Sequence, residues 1–184
     1  MTALEYLILT GVMAGFTGLE FFLHRAQKFG ATAADNLLDL VGFFLLAAFT
    51  QPAIMWMTQS IGVAVAPGYA NRLGFLPLWA KVGLLLAGDD MLQYWWHRAS
   101  HSPALWPLHR AHHSAHYMSA RMIYRNNFFY YLFLPALWMS GVLVYLGLGQ
   151  VYLVYLVIKM TVITGAHSDV RWEEPLYKIK ALAP

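Results

Sequence analysis

Four stretches of this chain are long and apolar: Leu4 to Leu23, Leu37 to Ala66, Leu76 to Trp96 and Phe128 to Ala166. Crossing ~30 Å of hydrocarbon takes about twenty helical residues, and a backbone in lipid must satisfy its own N–H and C=O groups, so such stretches are read as membrane helices. Composition leaves little room for another class. With 59% hydrophobic and 11% charged residues, the 184-residue chain has too little charge to coat a soluble globule. The fold expected is all-α, an integral membrane helical bundle.

The stretches differ in their punctuation. The first has no basic start or small-residue cleavage pattern and carries Glu5 and Glu20, so it reads as a retained anchor, with Glu20 reaching the membrane interface or, if inside, contacting the site. Gln51-Pro52 interrupts the second, which is either one long kinked span or a tight hairpin. The third ends in Asp89-Asp90 and Tyr94-Trp95-Trp96, aromatics that fit an interfacial belt, as do Phe128-Phe129-Tyr130-Tyr131. The fourth is too long for one crossing, and Gly147-Leu-Gly149-Gln150 divides it into a helical hairpin.

Basic residues orient the assembly. Arg25, Lys28, Arg98, Arg110, Arg121, Arg125, Arg171, Lys178 and Lys180 fall on one side if the second stretch crosses once, against Arg72 and Lys81 near the other, with Lys159 inside a span. By the positive-inside rule that side is cytoplasmic. The formal charge of +3 so distributed gives no reason to propose nucleic acid binding.

Five histidines lie within seventeen residues: His97 and His101 as His-x-x-x-His, then His109, His112 and His113 as His-x-x-His-His. Side chains at i, i+3 and i+4 share a helix face, so each box can present its imidazoles to one point, the mark of a metal site. Without cysteine, disulfides, iron–sulfur clusters and thiolate zinc sites are excluded, and histidines are the principal ligands left. The first box is expected on a helix leaving the membrane, broken by Ser102-Pro103. The second is expected on a helix started by Pro107.

The run Asp90-Met-Leu-Gln-Tyr94-Trp95-Trp96-His97-Arg98-Ala-Ser-His101 and then Leu108-His109-Arg110-Ala-His112-His113-Ser114 resembles the fatty acid hydroxylase and sterol desaturase superfamily of membrane di-iron enzymes. The resemblance covers roughly Asp89 to Arg171. It implies N-terminal membrane spans over 1–75 and a histidine-box domain over 76–184 whose boxes lie on the cytoplasmic face. It also implies two non-haem irons held by His97, His101, His109, His112 and His113, and O2-dependent hydroxylation or desaturation of a lipid chain. Gly165-Ala-His167-Ser-Asp-Val-Arg171 is similar to a further segment of that family and makes His167 a sixth ligand candidate.

One departure from that family pattern is plain. The superfamily carries another His-x-x-His-His box beyond this point, and no histidine follows His167 before Pro184. Two irons at four to six bonds each need about eight or more donors. His116 or His24, carboxylates, a second chain in an oligomer, or residues beyond a C-terminally incomplete piece would supply the rest, and the incomplete piece is the expectation here.

The other polar residues have plainer readings. His116 lies three beyond His113 and four beyond His112, so it is an additional ligand candidate, while His24 beside Arg25 reads as a membrane-edge residue. Asp89, Asp90 and Asp169 are candidates to accept a hydrogen bond from the far nitrogen of a ligating imidazole. Arg121, Arg125 and Asn126-Asn127 read as headgroup contacts.

The reading is therefore an oxidoreductase acting on a lipid alkyl chain or sterol-like substrate, with hydroxylation favoured. The substrate enters from the bilayer, and electrons come from a separate donor protein, since no Gly-rich dinucleotide motif is present. Two rivals are a zinc-dependent membrane hydrolase, which lacks here the Glu of His-Glu-x-x-His, and a non-catalytic metal-binding relative.

Overall fold

The computed structural model describes residues 3–23 and 30–168. His24, Arg25, Lys28, Asp169, Arg171, Lys178 and Lys180 lie outside the described residues, as does the side chain of Glu5. Among the described residues the secondary structure is helical, with no strand. Its α-helices are α1 (Ala3–Phe22), α2 (Ala33–Phe44), α3 (Gln51–Val65), α4 (Leu78–Leu85), α5 (Met91–Ser100), α6 (Trp106–His109), α7 (Phe128–Leu132), α8 (Pro135–Leu143) and α9 (Gly149–His167).

The second apolar stretch resolves as one continuous helix rather than a hairpin. Pro52 has no N–H for the carbonyl one turn back and its ring crowds that carbonyl, a conflict costing ~3 kcal/mol in a regular helix. A π-helical insertion over Leu45–Thr50 widens the turn just before it and joins α2 to α3 without a break. Ala33–Val65 and Phe128–His167 are each long and apolar enough to cross a membrane. In the latter, Gly147 at φ 113° takes a conformation closed to other residues and turns the chain, so α8 and α9 form the hairpin its glycines imply. A second break, at Leu134-Pro135, separates α7 from α8.

Named contacts set the directions. Gln59 Nε2 donates to Gly141 O, and the Tyr145 hydroxyl bonds Gly62 O and Ala66 O, so α3 and α8 run the same way. Gln51 meets Tyr152, so α9 returns against α3. Asp89 meets Tyr155 and Lys159, and Glu20 meets Ser168, which makes the run from α4 to α5 and helix α1 both parallel to α9. One end of the bundle holds segment 66–74 against the Gly147 turn, with Asn71 N–H donating to Tyr145 O and Leu73 N–H to Leu146 O. The other end holds all the described residues of the histidine boxes. Segments on both sides of residue 75 share one bundle, since α3 packs along α8 and α1 along α9.

Inside, Ile54, Leu85, Leu148 and Tyr155 are almost fully buried. Outside, Trp56, Val65, Phe75 and Trp79 are all more than 70% exposed. An apolar exterior of this kind suits hydrocarbon rather than water.

Candidate metal centre

Helix α5 carries His97 out of the bundle and ends at Ser100, whose hydroxyl turns back to Trp96 O, and His101 caps its C-terminal end. A turn through Ser102-Pro103 leads to α6, which starts with Pro107 in its first turn and holds His109. The helix does not continue to the rest of the box as expected. Its last residue is His109, and His112 and His113 sit on a separate 3-10 turn, His112–Ser114. That tighter turn separates two adjacent imidazoles: the His112 and His113 rings lie 5.2 Å apart and 86° from parallel.

Six imidazoles meet here. Ring nitrogens of His97, His101, His109 and His113 all lie within 4.8 Å of one another. The His112 ring stacks on His109 at 5.0 Å, and the His167 ring, brought in by the last turn of α9, is 5.2 Å from His112. His116 is exposed and is not among the converging rings.

Outer partners decide which nitrogen faces inward. His109 Nδ1 lies 3.0 Å from Asn126 Oδ1, an acceptor, so Nδ1 carries the proton and Nε2 presents a lone pair. The Asn126 amide is itself oriented, with its Nδ2 directed at Ile123 O and the Tyr131 hydroxyl. His167 Nδ1 donates to Ile163 O at 2.8 Å, which leaves its Nε2 free too. Tyr130 stacks on the His109 ring at 5.0 Å and 16°, restricting its rotation.

Burial disfavours the charged form of four of these rings. Desolvation, reinforced by neighbouring imidazoles, pushes His109 down to about 4 and His112 to about 3. Burial and its neighbours also lower His97 and His113. At neutral pH these rings are neutral, the form that binds metals.

The donor set fits a transition metal. His109 Nε2 and His113 Nε2 are 3.1 Å apart, and two nitrogens sharing a cation at ~2.0–2.1 Å stand roughly 3.0–3.4 Å from one another. His112 Nδ1 is buried without a hydrogen-bond partner among the described residues, a loss of ~1–3 kcal/mol that coordination would remove.

The aspartates named from sequence do otherwise. Asp89 accepts from the Tyr155 hydroxyl and from Lys159, and Asp90 accepts from Tyr155, so neither bonds an imidazole. The orienting acceptor is Asn126, which sequence reading placed at the headgroups. Only its polarity marked it, since the chain folds back through the 120–124 turn before reaching His109.

The same fold-back explains Arg125 and Glu20. Arg125 is 3% exposed, with Nε on Asp39 at 2.7 Å, Nη1 on Asp35 at 2.9 Å, and Nη2 on the Tyr117 hydroxyl at 2.6 Å. Burial opposes its charge, but the two carboxylates outweigh this and hold its pKa above the ordinary value. Burial and Asp39 push the Tyr117 phenol up as well. Glu20, expected at the interface, is 1% exposed and accepts from Ser119 Oγ and Ala120 N–H at 2.8 Å each. Gly42 allows this segment to lie on α2, because a Cβ there would sit 1.9 Å from Tyr124 O. Arg121 donates to Asn36, while Arg98 bonds Tyr94 and lies over Trp95, away from the cluster.

A cavity of about 110 Å³ adjoins the cluster. His97, His109, His112 and His167 line one part of it, and Phe43, Leu46, Leu134, Leu156 and Met160 give it apolar walls. Tyr130 and Tyr131 also line it and are buried, whereas Phe128 and Phe129 are exposed, so only the first half of that aromatic run faces outward.

No curated protein and no solved structure gives a significant match to the chain. Residues 82–183 match the family described as Fatty acid hydroxylase. That stretch holds every histidine of the cluster together with Asn126, and it covers more than half of the chain. Lipid hydroxylase or desaturase-type oxidoreductases make up this family, and the histidine cluster is compatible with their metal dependence. A bundle with an apolar exterior, two membrane-length helices and imidazoles gathered at one end is the arrangement on which that match falls: the chain belongs to the fatty acid hydroxylase family.

Proposed function

We propose that this chain is a multi-pass membrane oxidoreductase that uses O2 to hydroxylate, in preference to desaturating, a lipid alkyl chain or sterol-like substrate. Its metal would be a pair of irons held by His97, His101, His109, His112, His113 and His167. The carrying observation is that six imidazoles converge at one end of a membrane-compatible bundle and that four of them, His97, His109, His112 and His167, line an apolar-walled cavity.

Iron held there would supply the redox chemistry that breaks an unactivated C–H bond, which a metal of fixed oxidation state cannot. The protein's own work is positional. Asn126 and the Ile163 carbonyl hold the protons of His109 and His167 on Nδ1 and keep Nε2 turned inward. Tyr130 packs against one ring face, and the apolar walls exclude water and align an alkyl chain beside the cluster. Glu20 and Arg125 pin the segment that carries Asn126. Electrons come from a separate donor protein. Arg98, Arg110, Arg121 and Arg125 at the histidine end, against Arg72 and Lys81 near the other, support a cytoplasmic site.

Four nitrogens within 4.8 Å also suit tetrahedral zinc, so metal identity is the deciding test. The protein is purified in detergent from iron-replete cells beside a His112→Ala/His113→Ala variant, and metal per chain is measured along with O2 uptake on adding lipid and reductant. About two irons, lost in the variant, with lipid-dependent O2 uptake is the expected result. Zinc alone, or iron that persists without both histidines, overturns the reading.

A further inference from the structure

The cavity beside the histidines has a second polar part. Asp89, Lys159 and Gln51 line it along with the imidazoles. Asp89 and Lys159 each stand eight residues before a histidine, His97 and His167, on parallel helical runs. Eight helical residues rise ~12 Å, so the polar pair lies on the order of nine or ten saturated carbons from the cluster, deep among apolar walls.

Asp89 is 2% exposed and only half engaged. Its Oδ2 accepts from the Tyr155 hydroxyl at 2.6 Å and from Lys159, while its Oδ1 is buried and has no hydrogen-bond partner among the described residues. A buried carboxylate oxygen without a donor, on a residue that lines the cavity, is a strong, directional demand for one. Gln51 Nε2 spends one N–H on Tyr152 at 3.3 Å and has a second to offer.

We infer that Asp89 Oδ1 seats the hydroxyl of a hydroxyl-bearing lipid and so determines which carbon of its chain lies beside the histidines. A hydroxyl is the group that matches: its O–H donates to Asp89, and its oxygen accepts from Gln51 or Lys159. A free carboxylate offers only acceptors and meets the charge of Asp89. A plain alkane leaves Oδ1 unpaired, and sites built around a buried polar group reject ligands that lack its partner more strongly than sites selecting for size. Asp89 is thus a specificity-determining residue rather than a catalytic one. The inference rests on the cavity being a lipid oxidation site.

The test is a binding titration of the full chain in detergent, with a saturated primary alcohol of about twelve carbons, its methyl ether and the matching acid as probes. The alcohol is expected to bind about ten- to a hundred-fold tighter than the ether, which keeps the acceptor and loses the donor. Asp89→Leu/Lys159→Met removes both charges together, so no ion is left buried alone, and it should abolish that ratio while metal content holds. Where that variant does not fold, Asp89→Asn replaces it and should shrink the ratio. Equal affinity of alcohol and ether, a ratio unchanged in the variants, or tighter binding of the acid overturns the inference. Turnover is scored separately: alcohol preference without O2-dependent product supports the hydroxyl seat and overturns the oxidoreductase reading, whereas turnover indifferent to the hydroxyl overturns the seat alone.

Discussion

The histidine cluster and the Arg125 network lie side by side at one end of the bundle, and they solve the burial of polar groups in opposite ways. His109 and His112 are 1% and 5% exposed and are kept neutral, with inward nitrogens that no protein group fully occupies. Arg125 and Asp39 are as deeply buried, at 3% and 2%, but are saturated by each other, Asp35 and Tyr117. Unused lone pairs mark a place prepared for a ligand, and full pairing marks a clamp. The clamp grips α2 at Asp35 and Asp39, and the residue after Arg125 is the Asn126 that orients His109.

The largest effect should come from breaking the clamp. Arg125→Ala leaves Asp39 buried without its ion partner, at about 3–5 kcal/mol. Thermal unfolding in detergent should show a large fall in midpoint, and a loss below about 1 kcal/mol would mean that water replaces the guanidinium. Asn126→Ala should act on the other region, weakening metal binding about 10–100-fold with little change in the unfolding midpoint of the metal-free protein. Asn126→Asp, which keeps the acceptor, should restore much of the affinity. If alanine binds metal as well as the wild type, Asn126 does not orient His109.

The pH dependence of the metal-free protein separates the regions again. In the unfolded chain these imidazoles take up protons around 6.5, whereas folded His109 and His112 stay neutral to about 4 and 3. The folded pKa values are depressed, so stability from this source is full above pH 6.5, falls as the pH drops, and is exhausted below about pH 3. Denaturation curves between pH 7 and 3 should show that decline, and His112→Gln should flatten it. An identical slope in the variant would assign the decline to other groups. The smallest change is Thr32→Ala. Thr32 and Asp35 form a capping box at the start of α2, and its loss should cost about 1 kcal/mol. A much larger cost would show that the cap also holds Asp35 in place for Arg125.

Helicity, membrane-length stretches and the gathering of histidines are legible in the amino-acid order, because each rests on a local pattern: apolar run length, i to i+4 spacing, and a glycine at a turn. The second stretch is open there between kink and hairpin, since whether a helix passes a proline depends on whether the turn before it can widen, as it does over Leu45–Thr50. Sequence spacing predicts one helix from His109 to His113; α6 instead ends at His109 and a 3-10 turn carries His112 and His113, aiming adjacent imidazoles roughly 120° apart rather than the roughly 100° of an α-helix.

What the sequence by itself determined is the chemistry available: an apolar helical chain with no cysteine, eight histidines, and five of them in two boxes. What only the tertiary structure decided is how each polar side chain is used. Asn126, Arg125, Glu20 and Asp89 are all polar residues near membrane-length segments, and sequence reading placed the first three at or near the interface and the fourth behind a histidine. In the fold, Asn126 orients an imidazole, Arg125 and Glu20 clamp a turn, and Asp89 lines a cavity and keeps one buried oxygen without a partner among the described residues. The physical reason is that burial and hydrogen-bond partners are set by segments far apart in the chain: Arg125 meets α2 some ninety residues earlier, and Glu20 meets a turn one hundred residues later.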